Sequence, residues 1–473
     1  MNHKSILFFL GIYSLFVSAF SVLNILYSIY FDFNLGLNSY LITLLISFSI
    51  GSFFIFIGRK HNKDISKTDQ LSFVILGFFL IPILISIPYS LSVYNISFVD
   101  SYFESISGFT NTGFSIFDDV NNIDEPLILW RSSSQWLGGL LFLLATIGTI
   151  GSKQIRIKPA YLISGGASGR NFYNNINYNF VKIFTIYFFS TIFIIFLYRL
   201  AEIRLLDSVN LAFTTISAGG FIPVNNLSNI IGNNLQTIVI SISLLFPIFN
   251  FFLLQDILSR KFSVKNYYED LHLLILITLL IFLFYFFVIP EEGFSNVLFA
   301  VLSSISTSGI STFSSNFDLS LFFILLTIVG GSLISTSSGF KYTRIYILLK
   351  TSYQEIYRLV KPINIIDKNL YNVETKISDQ DIRIAFLVFV SFIISIFVLS
   401  SILTFDNLTF EDSFKLSILT LTNTVNSELF ELTNLSFVDL NIFIKMTIIL
   451  FMILGKIEII AFIYLIRKLI FKE

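Results

Sequence analysis

Long apolar runs alternate with short polar stretches along the whole 473-residue chain. Ten runs have the length and character of membrane-crossing helices, for which ~20 apolar residues span about 30 Å of hydrocarbon. They cover residues 6–30, 40–57, 71–87, 127–150, 183–197, 235–254, 271–289, the run from Leu319, 384–403 and 446–466. Pro82 and Pro88 are expected to kink or end the third. Between the third and fourth lies Asp-Ser-Tyr-Phe-Glu-Ser-Ile-Ser-Gly-Phe-Thr-Asn-Thr-Gly, residues 100–113, too short and too polar to cross. It starts with acids, passes through a segment fit for helix and ends in hydroxyls and a glycine. That is the pattern of a half-helix that dips into a membrane and returns as a loop. Non-helical backbone at that depth is tolerated only where it lines water or is buried in protein.

The same order recurs three more times. Residues 207–215 precede the loop 216–221, residues 295–306 precede 307–311, and residues 411–421 precede 422–426. The chain is therefore predicted to be an all-α polytopic membrane protein. A leading two-helix hairpin (1–60) is followed by four copies of membrane helix, short helix, loop and membrane helix: 61–155, 156–262, 263–355 and 356–473. One run departs from the pattern, because residues 330–341 break the apolar stretch that follows the third loop.

Charge orients this arrangement. Most of the 30 Lys and Arg lie at the N-terminus and in 59–70, 151–182, 259–270, 341–383 and 467–473, all on one side of a ten-span chain. The positive-inside rule makes that side cytoplasmic, with both termini there. Asp118, Asp119, Asp124, Glu125, Glu202, Asp207, Glu291, Glu292, Asp406, Glu411 and Asp412 fall on the other side with all four short segments. Arg131 is expected at an outer interface, and Lys341 and Arg344 at the inner membrane surface.

Composition narrows the function. The chain is 55% hydrophobic and 17% aromatic, with a formal net charge of zero, no Cys and three His. Nothing attracts nucleic acid, no thiolate can hold a metal, and His3, His61 and His272 sit near segment ends. An intramembrane enzyme would need a nucleophile–base pair or metal ligands such as HExxH, and neither is present. A coupled transporter with broken helices would show two related halves rather than four quarters. Four loops around one axis can instead supply the oxygens that replace the water shell of a permeating cation. Glycine turns carbonyls inward at dihedrals closed to other residues. The negative ends of the short helices point at the ion, and Asp100, Glu104, Asp207, Glu411 and Asp412 suit their outer ends. At the mouth these acids would concentrate cations.

Three stretches resemble the Trk/Ktr/HKT superfamily of potassium transporters, and the likeness covers nearly all of residues 1–470. Ser-Gly-Phe-Thr-Asn-Thr-Gly at 107–113 is similar to its first filter loop. Leu-Trp-Arg-Ser-Ser-Ser-Gln-Trp-Leu-Gly-Gly at 129–139 is similar to the tract opening the next helix. Gly-Gly-Ser-Leu-Ile-Ser-Thr-Ser-Ser-Gly-Phe-Lys at 330–341 is similar to the family's break in the third repeat. The leading hairpin is most like the Trk branch. The resemblance implies a pseudo-fourfold pore with a potassium ion held by Asn111, Thr112 and Gly113, by Ser217, Ala218, Gly219 and Gly220, by Thr307, Ser308 and Gly309, and by Thr424, Val425 and Asn426. The fourth filter position is placed on Asn426, where relatives most often have Gly. It implies an intramembrane gate of Gly330, Gly331, Ser332, Ser335, Thr336, Ser337, Ser338 and Gly339, with Leu333, Ile334 and Ser338 replacing small residues. Lys456 is expected beside that gate rather than paired with Glu458. The resemblance further implies a homodimer and a cytoplasmic nucleotide-binding regulatory ring, with no covalent cofactor. The function it implies is channel-like potassium uptake. The alternative is a sodium-permeable or weakly selective monovalent cation transporter of the same fold.

Overall fold

The computed structural model describes residues 3–60, 67–150, 176–260, 263–312, 319–360, 377–406, 408–432 and 435–457. Helices α1 (His3–Tyr30) and α2 (Leu37–Gly58) form the leading hairpin. Ser14, Ser21, Thr43 and Ser47 are buried in it. Each donates its hydroxyl to the carbonyl one turn back, at 2.6–3.1 Å. In hydrocarbon a hydroxyl needs such a partner, and this pairing lets the two helices close tightly. The hairpin lies against α3 (Lys67–Ser90) and α5 (Glu125–Ile150). The helix α3 runs on through Pro82 and Pro88 instead of ending. Carbonyls along this stretch find partners elsewhere: Tyr102 donates to Phe79 and the Trp130 indole to Ile85.

Four short helices follow the expected order: α4 (Phe98–Phe109), α7 (Leu205–Ser217), α10 (Phe294–Ile305) and α14 (Phe410–Thr422). The first is preceded by α3 and followed by α5. The second lies between α6 (Ile176–Leu200) and α8 (Asn234–Ser243). The third lies between α9 (Tyr268–Leu283) and α11 (Ser320–Val329), and the fourth between α13 (Asp379–Leu403) and α15 (Ile442–Ile457). Ser97 and Thr409 cap α4 and α14 by accepting from the N–H of Asp100 and Asp412, the preferred chemistry for a helix start.

Three differences from the sequence reading matter for the site. The run 235–254 is not one helix. It ends at Ser243, resumes for one turn at Leu245–Ile248, and breaks again before Leu253–Leu258. Pro247 cannot donate in the middle of that run, and Asn250 offers its backbone a local partner. The segment 341–383 is not all connector, since α12 occupies Tyr342–Val360. Among the described residues, six helices are long and apolar enough to cross a membrane. The helix α5, whose N-terminal half carries Arg131, three serines and Gln135, falls outside that set; α8 and α11 are cut short by breaks. The last expected span is described only to Ile457, so Glu458 lies outside the described residues. Large apolar side chains such as Phe53, Phe56, Phe189, Phe196, Phe282 and Phe397 stay exposed on the outer helices, as a lipid-facing surface requires.

Candidate functional site: four loops over a pair of broken helices

Every short helix ends in the same way. A residue with a left-handed backbone follows the last turn: Asn111 (φ 62°), Ala218 (57°), Thr307 (62°) and Asn423 (50°). In three of them the next N–H reaches back five residues: Thr112 to Ser107, Gly219 to Thr214 and Thr424 to Leu419, at 2.8–2.9 Å; in the loop after α10 the Ser308 N–H goes to the Ser306 hydroxyl. In three loops the hydroxyls flanking the left-handed residue pair with each other: Thr110 with Thr112, Ser306 with Ser308, and Thr422 with Thr424. In the second loop Gly219 leaves Ser217 without that partner, and Ser217 bonds back into its own helix.

This shared geometry sets the register. The residue two past the left-handed position is Gly113, Gly220, Gly309 and, in the fourth loop, Val425. The expectation that Asn426 holds the fourth position is corrected. The Asn426 amide turns away and donates to Leu432 in its own loop, at 3.1 Å. The four residues that do share the position meet. A Cβ built on Gly113 would fall 2.8 Å from the Gly220 Cα and 3.0 Å from the Val425 Cβ. One on Gly309 would fall 2.9 Å from the Val425 carbonyl oxygen. Gly113 (φ 87°) and Gly309 (φ 69°) are also in the left-handed region, so two independent constraints demand glycine there.

Side chains behind the loops hold them in place. The Asn111 amide donates to the Gln135 carbonyl (2.7 Å), and the Asn423 amide to the Met452 carbonyl (2.8 Å) and to Thr112 (3.0 Å). Thr214 and Ser303 donate to the carbonyls of Phe221 and Ile310, each seven residues on. The Gln135 amide, oriented to satisfy its neighbours, accepts from Gly220 and Phe221 and donates to Thr214.

Two charged residues stand elsewhere than expected. Glu104 is not at the mouth, and Arg131 is not at an interface. Glu104 is fully buried and accepts from Arg131 Nε (2.9 Å), the Ile116 N–H (2.8 Å) and Ser115 (3.2 Å). Arg131 is 2% exposed, donates also to Ser115, and lies 4.2 Å from the Phe221 ring centroid. An acid two turns into an amphipathic helix, with one arginine in the next apolar helix, was the available signal: each charge needs the other at that depth.

Three of the remaining outer acids are paired with cations. Asp100 pairs with Lys445 (2.6 Å), Glu411 with Lys415 (2.8 Å), and Glu125 with Arg204. Burial raises the Asp207 carboxyl above the ordinary aspartate range, opposed by the nearby Arg204 cation. Burial likewise raises Asp124. A hollow of about 350 Å³ lies here, bordered by Glu125, Glu202, Arg204 and Asp207.

On the other side of the loops, residues 330–341 leave the helix and fold back on themselves. Gly330 and Gly339 both have positive φ (63° and 78°). The Gly331 N–H donates to Ser337 (2.8 Å), Ser335 donates to the Ser332 carbonyl (2.7 Å), and Phe340 N–H to Ile328 (2.9 Å). The turn abuts two of the loops directly: Thr336 donates to the Ile216 carbonyl and the Ser338 N–H to Thr307, both at 2.9 Å. Lys456 donates to Ser338 at 2.9 Å with its ammonium 4.5 Å from the Phe142 ring centroid. Lys341 and Arg344 are buried within the protein, 3% and 6% exposed. Lys341 curls onto its own turn, donating to Ser335 and to the Ser337 carbonyl.

The break in α8 lies beside this turn. Ser332 and Ser337 N–H groups donate to Ile248 and Pro247, and Phe251 N–H to Ile334. Two acids at the start of α9 clamp both breaks. Asp270 accepts from the Asn250 N–H (2.8 Å), and Glu269 accepts from the Leu333 N–H (2.8 Å) and from the Thr343 hydroxyl. In the sequence both acids fall at the end of the basic segment 259–270. Among the described residues no cluster of His, Cys, Asp and Glu could hold a metal ion.

This combination defines a class: a multi-pass, all-helical membrane protein built like a Trk-type transporter pore subunit, with four helix–loop repeats after a hairpin. No family model matches the chain. It is 27% identical over 440 residues to the Trk system potassium uptake protein TrkG of Escherichia coli, covering 89% of each chain. It is 26% identical over 413 residues to an uncharacterized cation transporter of Methanocaldococcus jannaschii, covering 84% of this chain and 82% of that one. Its fold matches the crystal structure of the potassium transporter TrkH from Vibrio parahaemolyticus with a TM-score of 0.84 over 98% of both chains, at 21% identity. The likeness to Trk-type transporters read from the sequence is thus borne out. The relatives are named as transporters, not enzymes.

Proposed function

We propose that this chain carries monovalent cations, potassium first, across the cell membrane through the passage between its four loops. The observation that carries the reading is the shared left-handed ending of four short helices, which brings Gly113, Gly220 and Gly309 to one point beside Val425. Carbonyls of Asn111 to Gly113, Ser217 to Gly220, Thr307 to Gly309 and Thr424 to Val425 are the candidate ligands for a potassium ion. The turn 330–341 with Lys456 serves as the gate on the cytoplasmic side. Both termini are cytoplasmic, the repeats divide at 60, 155, 262 and 355, and the chain works as a homodimer with a cytoplasmic nucleotide-binding regulatory ring. The alternative is sodium permeation or weak discrimination in the same fold, and it is favoured by one observation: the fourth loop lacks glycine at the meeting point.

The test is tracer uptake into proteoliposomes with potassium, rubidium and sodium in competition, for the wild type and for Lys456→Ala. Removing the lysine from beside the turn is expected to raise flux. Failure of both proteins to pass any of the three ions would end the transport reading. A sodium flux equal to that of potassium would establish the alternative.

A further inference from the structure

We infer that Val425 is the steric constriction of the passage and sets its throughput and its preference among alkali cations; this rests on the permeation reading above. Three observations carry it. First, Val425 occupies the position that is glycine in the other three loops, as fixed by the hydroxyl–left-handed–hydroxyl order of Thr110-Asn-Thr-Gly113 and Thr422-Asn-Thr-Val425. Second, its side chain reaches two other loops. A Cβ on Gly220 would fall 2.8 Å from the Val425 Cγ1, and one on Gly113 would fall 3.0 Å from the Val425 Cβ. Third, the three glycines are buried while Val425 is half-buried, so its side chain stands nearer the open side of the four loops than they do.

The oxygens at this level are also constrained. The Gly309 carbonyl accepts from Ser427 at 2.6 Å, and the Ser308 carbonyl lies 3.1 Å from where a Gly220 Cβ would be. A cation passing here needs several carbonyls to replace its hydration shell. A branched apolar side chain at the same level offers no oxygen and takes up the space. Valine is also stiff at χ1, so its methyls stay where the backbone sets them. Larger ions meet this obstruction most, so rubidium and potassium lose more of their flux to it than sodium does, relative to a passage with glycine in all four loops.

The experiment compares rubidium, potassium and sodium uptake in proteoliposomes for the wild type, Val425→Gly, Val425→Ala, Val425→Leu and Asn426→Gly. Val425→Gly is expected to raise rubidium and potassium flux about tenfold, equivalent to roughly 1.4 kcal/mol off the barrier, and to raise the rubidium-to-sodium ratio. Val425→Ala should fall between it and the wild type, and keeps the test valid if the glycine variant does not fold. Val425→Leu should lower flux, and Asn426→Gly should match the wild type. Wild-type fluxes and ratios in both Val425→Gly and Val425→Ala would overturn this inference while leaving the transport reading intact, as would a change confined to Asn426→Gly. If no protein, Lys456→Ala included, carries any ion, the transport reading itself falls and this inference with it.

Discussion

The buried pair of Glu104 and Arg131 is the sharpest place to test how the first loop is held. Arg131→Met keeps much of the side-chain length and removes the charge. It strands a carboxylate that is fully buried and leaves it only the Ile116 N–H and Ser115 as partners. Removing one member of a buried pair costs about 3–5 kcal/mol. The two surviving hydrogen bonds and the remaining packing against Phe221 put the expected loss at the lower end, about 3 kcal/mol. With an unfolding entropy of about 2.1 cal/mol/K per residue, a chain of 473 residues loses ~3 °C from its thermal midpoint in detergent. Glu104→Gln combined with Arg131→Met should recover most of that loss, because the neutral amide still accepts from Ile116 without an unpaired charge. The ion readout separates a strut from a mere packing element: the single mutant should lose discrimination among alkali cations before it loses total flux. An Arg131→Met protein with the wild-type midpoint and the wild-type ion ratios would refute the strut.

Two further outcomes follow from the loops and the clamp. Ala218 has a φ of 57°, a conformation that costs a Cβ-bearing residue about 1–2 kcal/mol, so Ala218→Gly is expected to raise the thermal midpoint; a lower midpoint would mean the Cβ contributes packing that outweighs the strain. Glu269→Ala removes the acceptor for the Leu333 N–H and the Thr343 hydroxyl, at about 1–3 kcal/mol for the groups left unpaired. The turn at 330–341 should then open more often and pass a leak current in planar bilayers; a silent bilayer would show that the clamp does not hold the turn shut.

The architecture was readable because a bilayer leaves few options. Length, polarity and the break at 330–341 are set by the cost of bare backbone in hydrocarbon, and that cost is local in sequence. The second break, at 244–252, escaped notice because its residues are themselves apolar; Pro247 and Asn250 within that run were the only marks of it. The buried pair was less legible for a different reason. Glu104 and Arg131 are each plausible at a membrane surface, and only their meeting across α4 and α5 puts both in the interior.

The fourth loop is the instructive case. Seeking the next small or polar residue leads to Asn426, one place too far. Backbone conformation leads to Val425, because the position is set by where the helix turns left-handed and not by which side chain follows. Thr-Asn-Thr-Gly and Thr-Asn-Thr-Val match letter for letter up to the residue that matters, so the correct register was present in the sequence all along. The consequence is chemical. An asparagine at the meeting point would have contributed an amide that an ion could use, whereas a valine contributes only bulk beside its carbonyl. On the permeation reading proposed above, any preference among cations would come from three glycine-lined walls and one apolar one, an asymmetry that replacement at Val425 alone would remove.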